Sequence, residues 1–457
     1  MLTTFRWLLR LFTGLIVLSL LVGTILYWFL ERSIPDYSED FALDGITGPV
    51  EIVRNNDNVP HIFGASDEDV FFALGFAHAQ DRLWQMTMLR RTAQGRLSEL
   101  FGQRTLKIDE LLRRYDLYTL SLQSVAAQDA PTMRALEAYA RGVNAWIGQV
   151  NEGARGRGAP EFFLFSNEIA AWQPADSIAI IKLMALQLSG HLEAEVLRAR
   201  VSLVLPEARL RDVLPDDPGR PVTALPDYAS LMPGPVPGTG PIRTAGGPLS
   251  PFPRLPFAGA SNAWAAAPGR AAAGGSLLAN DPHLGFTAPT IWYLARLELQ
   301  SGGVIGATIP GVPAIMAGRS ARLGWGLTSS YLDDQDVVME RLNPANPEEY
   351  ETAEGFRAFE TRRSIIQIKD ATPVTITLRW SEAGPVLPGS HYDLASVTPA
   401  GHVAALSWTA LSPADTSMTA AMRIMQAGST AEAIEAGRVF VGPAPNLNPP
   451  DQGGNAF

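Results

Sequence analysis

Ser261-Asn262-Ala263-Trp264, with Asn280-Asp281-Pro282-His283 following it and Tyr331-Leu332-Asp333-Asp334-Gln335-Asp336 further on, is the stretch whose reading decides the fold. Immediately upstream, residues 215–260 turn to Pro, Gly, Ala and Ser and lose every hydrophobic period, the composition of a linker or an excised spacer. Immediately downstream, apolar runs at 262–267, 276–280, 291–299, 304–309, 314–317 and 325–329 are separated by turn signals such as Pro268-Gly269, Ser301-Gly302-Gly303 and Pro310-Gly311. These runs read as strands in close order. A serine therefore opens a β-rich region directly after a spacer.

That position suggests a chemistry. The chain has no cysteine, which removes thiolate nucleophiles, disulfides and thiolate metal sites. It also lacks a G-x-S-x-G elbow, an H-E-x-x-H helix, a Walker A loop and a dinucleotide fingerprint after a strand. A serine hydroxyl still needs a base. If cleavage before Ser261 makes it the first residue of a new chain, its own α-amine, with an ordinary pKa near 8, supplies that base.

Reading outward, 457 residues with 46% hydrophobic content are enough to bury a sizeable core. Lys and Arg total 36 against 46 Asp and Glu, a net charge of -10, and no basic block follows the first dozen residues. That balance argues against wrapping a nucleic-acid backbone, so no nucleic-acid partner is expected. Near the start, Arg6 and Arg10 precede an uncharged run at 11–30, about the length that crosses a bilayer as a helix. Residues 1–32 therefore read as a membrane anchor with the body in the periplasm. A cleaved signal peptide is the competing reading, against which stand the length of the run and the lack of a small-x-small site after it.

Between anchor and spacer, residues 33–214 read as mostly helical. A hairpin is expected first, at 50–53 and 59–63 around Asn55 and Asn58. Ser66-Asp67-Glu68-Asp69 then resembles a capping box ahead of a helix that Gly102 would stop. Helical patterning continues over 108–200, where Glu193-Ala194-Glu195 reads as a solvated face. Beyond the spacer, strands at 365–368 and 374–380 and a helix at 430–439 follow. His61 and His78 are expected to be structural.

The residues quoted above, together with Pro310-Gly311-Val312-Pro313, Gly324-Trp325-Gly326, Val59-Pro60-His61-Ile62, Gly75-Phe76-Ala77-His78-Ala79-Gln80-Asp81-Arg82-Leu83-Trp84 and Gly95-Arg96-Leu97-Ser98-Glu99, resemble the penicillin acylase (penicillin amidase) family of N-terminal-nucleophile hydrolases. The resemblance runs from about Val50 to about Asn455. It implies an α+β fold, an αββα sandwich of which this chain carries part, with a helical first chain at 33–214 and a β-rich second chain at 261–457. It implies a periplasmic precursor that cuts itself before Ser261 into α and β chains and then hydrolyses a small-molecule amide, a linear C–N bond, through a serine acyl-enzyme. Ser261 would be the nucleophile, the backbone N–H of Ser329 an oxyanion donor, and His283 an orienting neighbour. One structural Ca²⁺ is implied as well, held by Asp333, Asp336, the carbonyl of Gln335 and Glu195 from the first chain, with Glu193 as the fallback. Leu188, Leu284 and Met316 fall near acyl-pocket positions, which favours an apolar acyl chain and leaves acyl-homoserine lactones and β-lactam side chains both open.

Three departures from the family pattern carry expectations of their own. Ala260, after Gly259, stands where relatives commonly have Gly. Pro445, Pro449 and Pro450 would deny ladder donors to the strand expected near Gly442-Pro443-Ala444-Pro445-Asn446. The chain stops at Phe457, before the side-chain asparagine that completes the family's oxyanion hole, and losing such a donor costs roughly 100- to 1000-fold in rate. The rival reading is accordingly a truncated, unprocessed and inactive homologue with at most a binding role.

Overall fold

The computed structural model describes residues 2–152, 158–165, 169–205, 209, 261–272, 274–285, 287–330 and 332–455. The spacer at 215–260, and with it Ala260, lies outside them. In chain order the first part comprises α1 (Leu2–Glu31), β1 (Glu51–Arg54), β2 (Pro60–Phe63), α2 (Asp67–Ala93), α3 (Ser98–Phe101), α4 (Leu106–Tyr115), α5 (Leu117–Ser124), α6 (Ala130–Asn151), α7 (Pro174–Leu188) and α8 (His191–Ser202). From Ser261 onward come β3 (Asn262–Ala266), β4 (Leu277–Asp281), β5 (Tyr293–Leu299), β6 (Gly302–Thr308), β7 (Ala317–Arg319), β8 (Gly324–Ser329), β9 (Gln335–Asn343) and β10 (Asn346–Thr352). They are followed by β11 (Gly355–Ala358), β12 (Glu360–Ile366), β13 (Val374–Trp380), β14 (Val386–Leu387), β15 (His402–Trp408), α9 (Ser417–Gln426), α10 (Thr430–Gly437) and β16 (Pro445–Asn448). The α+β order, helices first and strands after Ser261, is the one the sequence predicts.

Helix α1 is apolar and exposed, and over Leu2–Trp28 it is long and apolar enough to cross a bilayer. The site is positioned by a seven-stranded sheet in the order β1-β2-β5-β6-β7-β8-β16. Its first two strands come from the helical part as an antiparallel pair, and β2 joins β5 in parallel, His61 lying opposite Arg296. Strand β5 alternates, with Tyr293, Ala295, Leu297 and Leu299 buried in the same core as Leu74, Phe76 and Trp146 of α2 and α6. Those two helices touch by main chain: a Cβ at Gly75 would stand 2.1 Å from Tyr139 O, and one at Gly142 only 1.8 Å from Phe72 O. No side chain larger than hydrogen fits either place.

Polar contacts inside this core tie the helices to the sheet. The Tyr139 hydroxyl accepts from Gly311 N at 2.9 Å and meets His78 Nδ1 at 2.7 Å. His78 is neutral: burial pushes the imidazole pKa down to about 3. Asp81 gathers Arg54 at 2.8 Å and the Tyr293 hydroxyl at 2.6 Å. Lys182, fully buried, donates to Asp415, Ala410 O and Ser412 O. His78 is thus structural, as expected.

Several boundaries differ from the sequence reading. The Ser66 hydroxyl does cap α2, accepting from Asp69 N at 3.1 Å, but the helix ends at Ala93 and not near Gly102. Gly95 takes φ +59° and Arg96 N turns back to Arg91 O, which closes α2; the buried Asp109 carboxylate accepts from Leu97 N and Ser98 N, where α3 begins. Strands β9, β10, β11 and β15 and helix α9 were not expected. They build a second, five-stranded sheet, β11-β10-β9-β15-β14.

Candidate active site

Strands β3 and β4 form a two-stranded hairpin in register Asn262–Asp281, Ala263–Asn280 and Trp264–Ala279. Alternation divides its faces: Leu278 and Asn280 turn inward, while Trp264, Leu277, Ala279 and Asp281 are exposed. The inward Asn280 fastens the hairpin to β8. Its Nδ2 donates to Leu327 O at 3.1 Å and to Asn262 O at 3.0 Å, and its Oδ1 accepts from Leu327 N at 3.2 Å. One carboxamide thus serves as the strand partner that Leu327 lacks on that edge. Gly326 makes room for it, since a Cβ there would lie 3.0 Å from that of Asn280.

The clamp sets Ser261 at the mouth of the hairpin. Its Oγ accepts from the main-chain N–H of His283 at 3.2 Å, and the His283 ring reaches Asp281 Oδ2 through Nε2 at 2.7 Å. Across from it runs β8. Gly324 N donates to Pro450 O and Ser330 N to Ala444 O, so the even-numbered amides of β8 point to β16. By the period of two, Ser329 N–H leaves the opposite edge, the side on which Leu327 N–H meets Asn280. No described strand pairs with Ser329 there. Ser261, Asn262, Thr328, Arg438, Asn446 and Asn448 line an open cleft of about 780 Å³.

The same parity corrects the expectation about the prolines. Pro445 stands opposite Ser329 in a non-hydrogen-bonded pair, where no donor is required, and β16 forms as an edge strand. Pro449 O and Pro450 O act as acceptors, for Thr430 Oγ1 and Gly324 N. Just beyond, Asp451 accepts from Thr430 N and from Asn455, bonds that pull its pKa down to about 2.

Ser261 and His283 are thus brought together at the hairpin mouth, beside a cleft that Thr328, the neighbour of Ser329, also lines; the expected calcium ligands are not brought to one point. Asp333 is exposed, 3.9 Å from His191 Nδ1 at the start of α8. The Gln335 side chain is buried and accepts from Leu192 N at 2.9 Å, and Asp336 is exposed on β9 opposite Ser407. Glu193 and Glu195 lie half-buried on α8, not on the fully solvated face expected of them. Among the described residues no three Asp, Glu or His side chains gather into a group that would hold a metal. As they stand, the side chains do not fit a calcium cage. Leu188, Leu284 and Met316 are half-buried against the main core. Sequence reading passed over Asn280 and Asp281 as site residues, although both stand beside His283 in the quoted motif.

The sequence profile described as penicillin amidase matches residues 49–457. The chain belongs to the penicillin amidase family. It is 30% identical to the acyl-homoserine lactone acylase QuiP of Pseudomonas aeruginosa over 79% of this chain and 43% of that protein. It is likewise 30% identical to the penicillin acylase 2 proenzyme of Pseudomonas sp. (strain SE83), over 81% of this chain and 47% of the other. The chain therefore spans about half the length of the curated relatives it matches. Among solved structures, a thermostable penicillin G acylase from Alcaligenes faecalis overlaps 42% of this chain and 34% of its own, at 24% identity and a TM-score of 0.37.

Proposed function

We propose that this family member is an amide hydrolase whose nucleophile is Ser261, released as a chain terminus by cleavage after Ala260. The observation that carries the reading is the placement of Ser261, whose Oγ is held by the His283 N–H at the hairpin mouth beside a cleft that Thr328 of β8 also lines. In this reading the Ser261 α-amine takes the hydroxyl proton as Oγ attacks the substrate carbonyl, and the Ser329 amide receives the developing oxyanion. The same proton then goes to the leaving amine, and water resolves the acyl-enzyme to a carboxylic acid.

The relatives' names give the substrate classes to try: N-acyl-homoserine lactones and penicillins. The half-buried Leu188, Leu284 and Met316 suit an apolar acyl chain. Purified protein is expected to release acid and amine from one of these, and Ser261→Ala to abolish the release. Turnover that survives Ser261→Ala would contradict the proposal, and no turnover of any acyl amide would favour a non-catalytic binding role. An inner-membrane location with the body in the periplasm fits the exposed apolar helix α1. Calcium enters only as a structural ion at Asp333, Gln335, Asp336 and Glu195, whose side chains would have to converge; no step of the chemistry passes through it. Calorimetric titration should then find one site that Asp333→Asn weakens, and a flat titration would remove the ion from the account.

A further inference from the structure

The nucleophile reading leaves one close contact at the cleft unused, the pair between the His283 ring and Asp281 at 2.7 Å. Asp281 ends β4 on the outward face, opposite Asn262, the residue that follows Ser261. Pro282 then fixes the backbone, and the chain folds tightly enough for Leu284 N to bond Pro282 O at 3.1 Å. That turn returns His283 to the hairpin mouth, so one residue makes two contacts: its N–H holds Ser261 Oγ and its ring holds Asp281.

From this geometry we infer that Asp281 is a positioning residue for His283, fixing the proton on Nε2 and leaving Nδ1 as the acceptor. The inference rests on the reading of Ser261 as nucleophile. An ionised carboxylate only accepts, so the ring nitrogen facing it must carry the hydrogen. In the neutral ring the other nitrogen keeps its lone pair. By covalent geometry Nδ1 is the ring nitrogen nearer the main chain, and it is the main-chain N–H of this same residue that binds Ser261 Oγ. A freely turning imidazole would present a donor or an acceptor there in turn. One held by Asp281 presents an acceptor, and its orientation holds the Ser261–His283 contact in place.

The pair is open to solvent, with side-chain exposures of 41% for His283 and 59% for Asp281, so water competes for both groups. The alternative, a surface ion pair with no consequence, is separable by experiment. The full chain, labelled with ¹⁵N at its six histidines, gives two-bond ¹H–¹⁵N spectra in which His283 is assigned by its loss in His283→Gln. Wild type should show the Nε2–H tautomer at residue 283, and Asp281→Ala should let in the Nδ1–H form. In parallel, burst acylation of Ser261 by a p-nitrophenyl acyl ester should slow by roughly 10-fold or more in Asp281→Ala and Asp281→Asn, the scale at which such supporting partners act. Asp281→Glu should recover part of the loss. An unchanged His283 spectrum, or a changed spectrum with unchanged acylation, overturns the inference. Should the wild type not be acylated at all, the nucleophile reading falls while the tautomer spectra still decide whether Asp281 orients the ring.

Discussion

Replacing Asn280 by Ala should loosen the β3–β4 hairpin from the sheet. The change deletes three hydrogen bonds, two from Nδ2 to Asn262 O and Leu327 O and one from Leu327 N to Oδ1, at 3.0 to 3.2 Å. At about 1 kcal/mol net apiece, and with the group half-buried so that water replaces part of the loss, the cost comes to ~2–3 kcal/mol. Because two of the bonds join the hairpin to one strand and the third lies within the hairpin, the loss should be local. Amide hydrogen exchange read by mass spectrometry over residues 324–330 should then speed up by roughly 30- to 150-fold, since each 1.4 kcal/mol is a factor of ten. Asn280→Asp should cost at least as much, because it keeps one acceptor and sets a carboxylate beside two carbonyl oxygens. Exchange within about twofold of wild type in both variants would show that Asn280 is no clamp, and would leave the position of Ser261 at the hairpin mouth without a physical cause.

Three further outcomes follow from the core. The His78 imidazole, held neutral with a pKa of about 3, makes the folded state resist protonation that the unfolded chain accepts from pH ~6.5 downward. Between pH 6.5 and 4.5 wild type should therefore lose ~2 kcal/mol more than His78→Gln in denaturant titrations, above pH 7 the gap should stay constant, and parallel curves would refute the account. Asp415→Ala strands the buried Lys182 ammonium and should cost ~3–5 kcal/mol, with partial recovery in Lys182→Met/Asp415→Leu; a cost below about 1 kcal/mol would contradict the pairing. Gly142→Ala drives a methyl into Phe72 O and should cost ~1–3 kcal/mol or more in the same assay, and a neutral result would mean that α2 and α6 do not meet by main chain.

Much of this was legible in the residues. The hairpin at 51–63, the Ser66 cap and the strands from 262 to 329 stand close to where alternation and turn residues put them, because each is decided by its own local sequence. What was missed is decided at a distance. Helix α2 stops at the left-handed Gly95, where Arg96 N turns back to Arg91 O, and the chain restarts as α3 where Asp109, from α4, takes the amides of Leu97 and Ser98. Strands β9 and β10 are rich in charged residues and carry weak alternation; β9 is held by pairing with β15, some sixty residues on, and β10 by pairing with β9. The prolines of β16 looked prohibitive until the register placed Pro445 in a non-hydrogen-bonded pair, and register cannot be read from one strand alone. At the candidate site, Ser261 and His283 stand together as their shared motif suggests, whereas the contacts of Asn280 and Asp281 emerged only from which face of β4 each occupies. The calcium ligands were named from the family resemblance, and a resemblance does not fix where the carboxylates of this chain point.

The central claim is that Ser261 becomes a chain terminus whose own amine is its base. Intact-mass spectrometry of the purified protein, with the N-terminus of each species sequenced, tests it most directly. Wild type should yield a species that begins at Ser261, and Ser261→Ala should remain uncut between residues 260 and 261. A wild-type chain intact across that bond, or a Ser261→Ala chain cleaved there as readily, would contradict it.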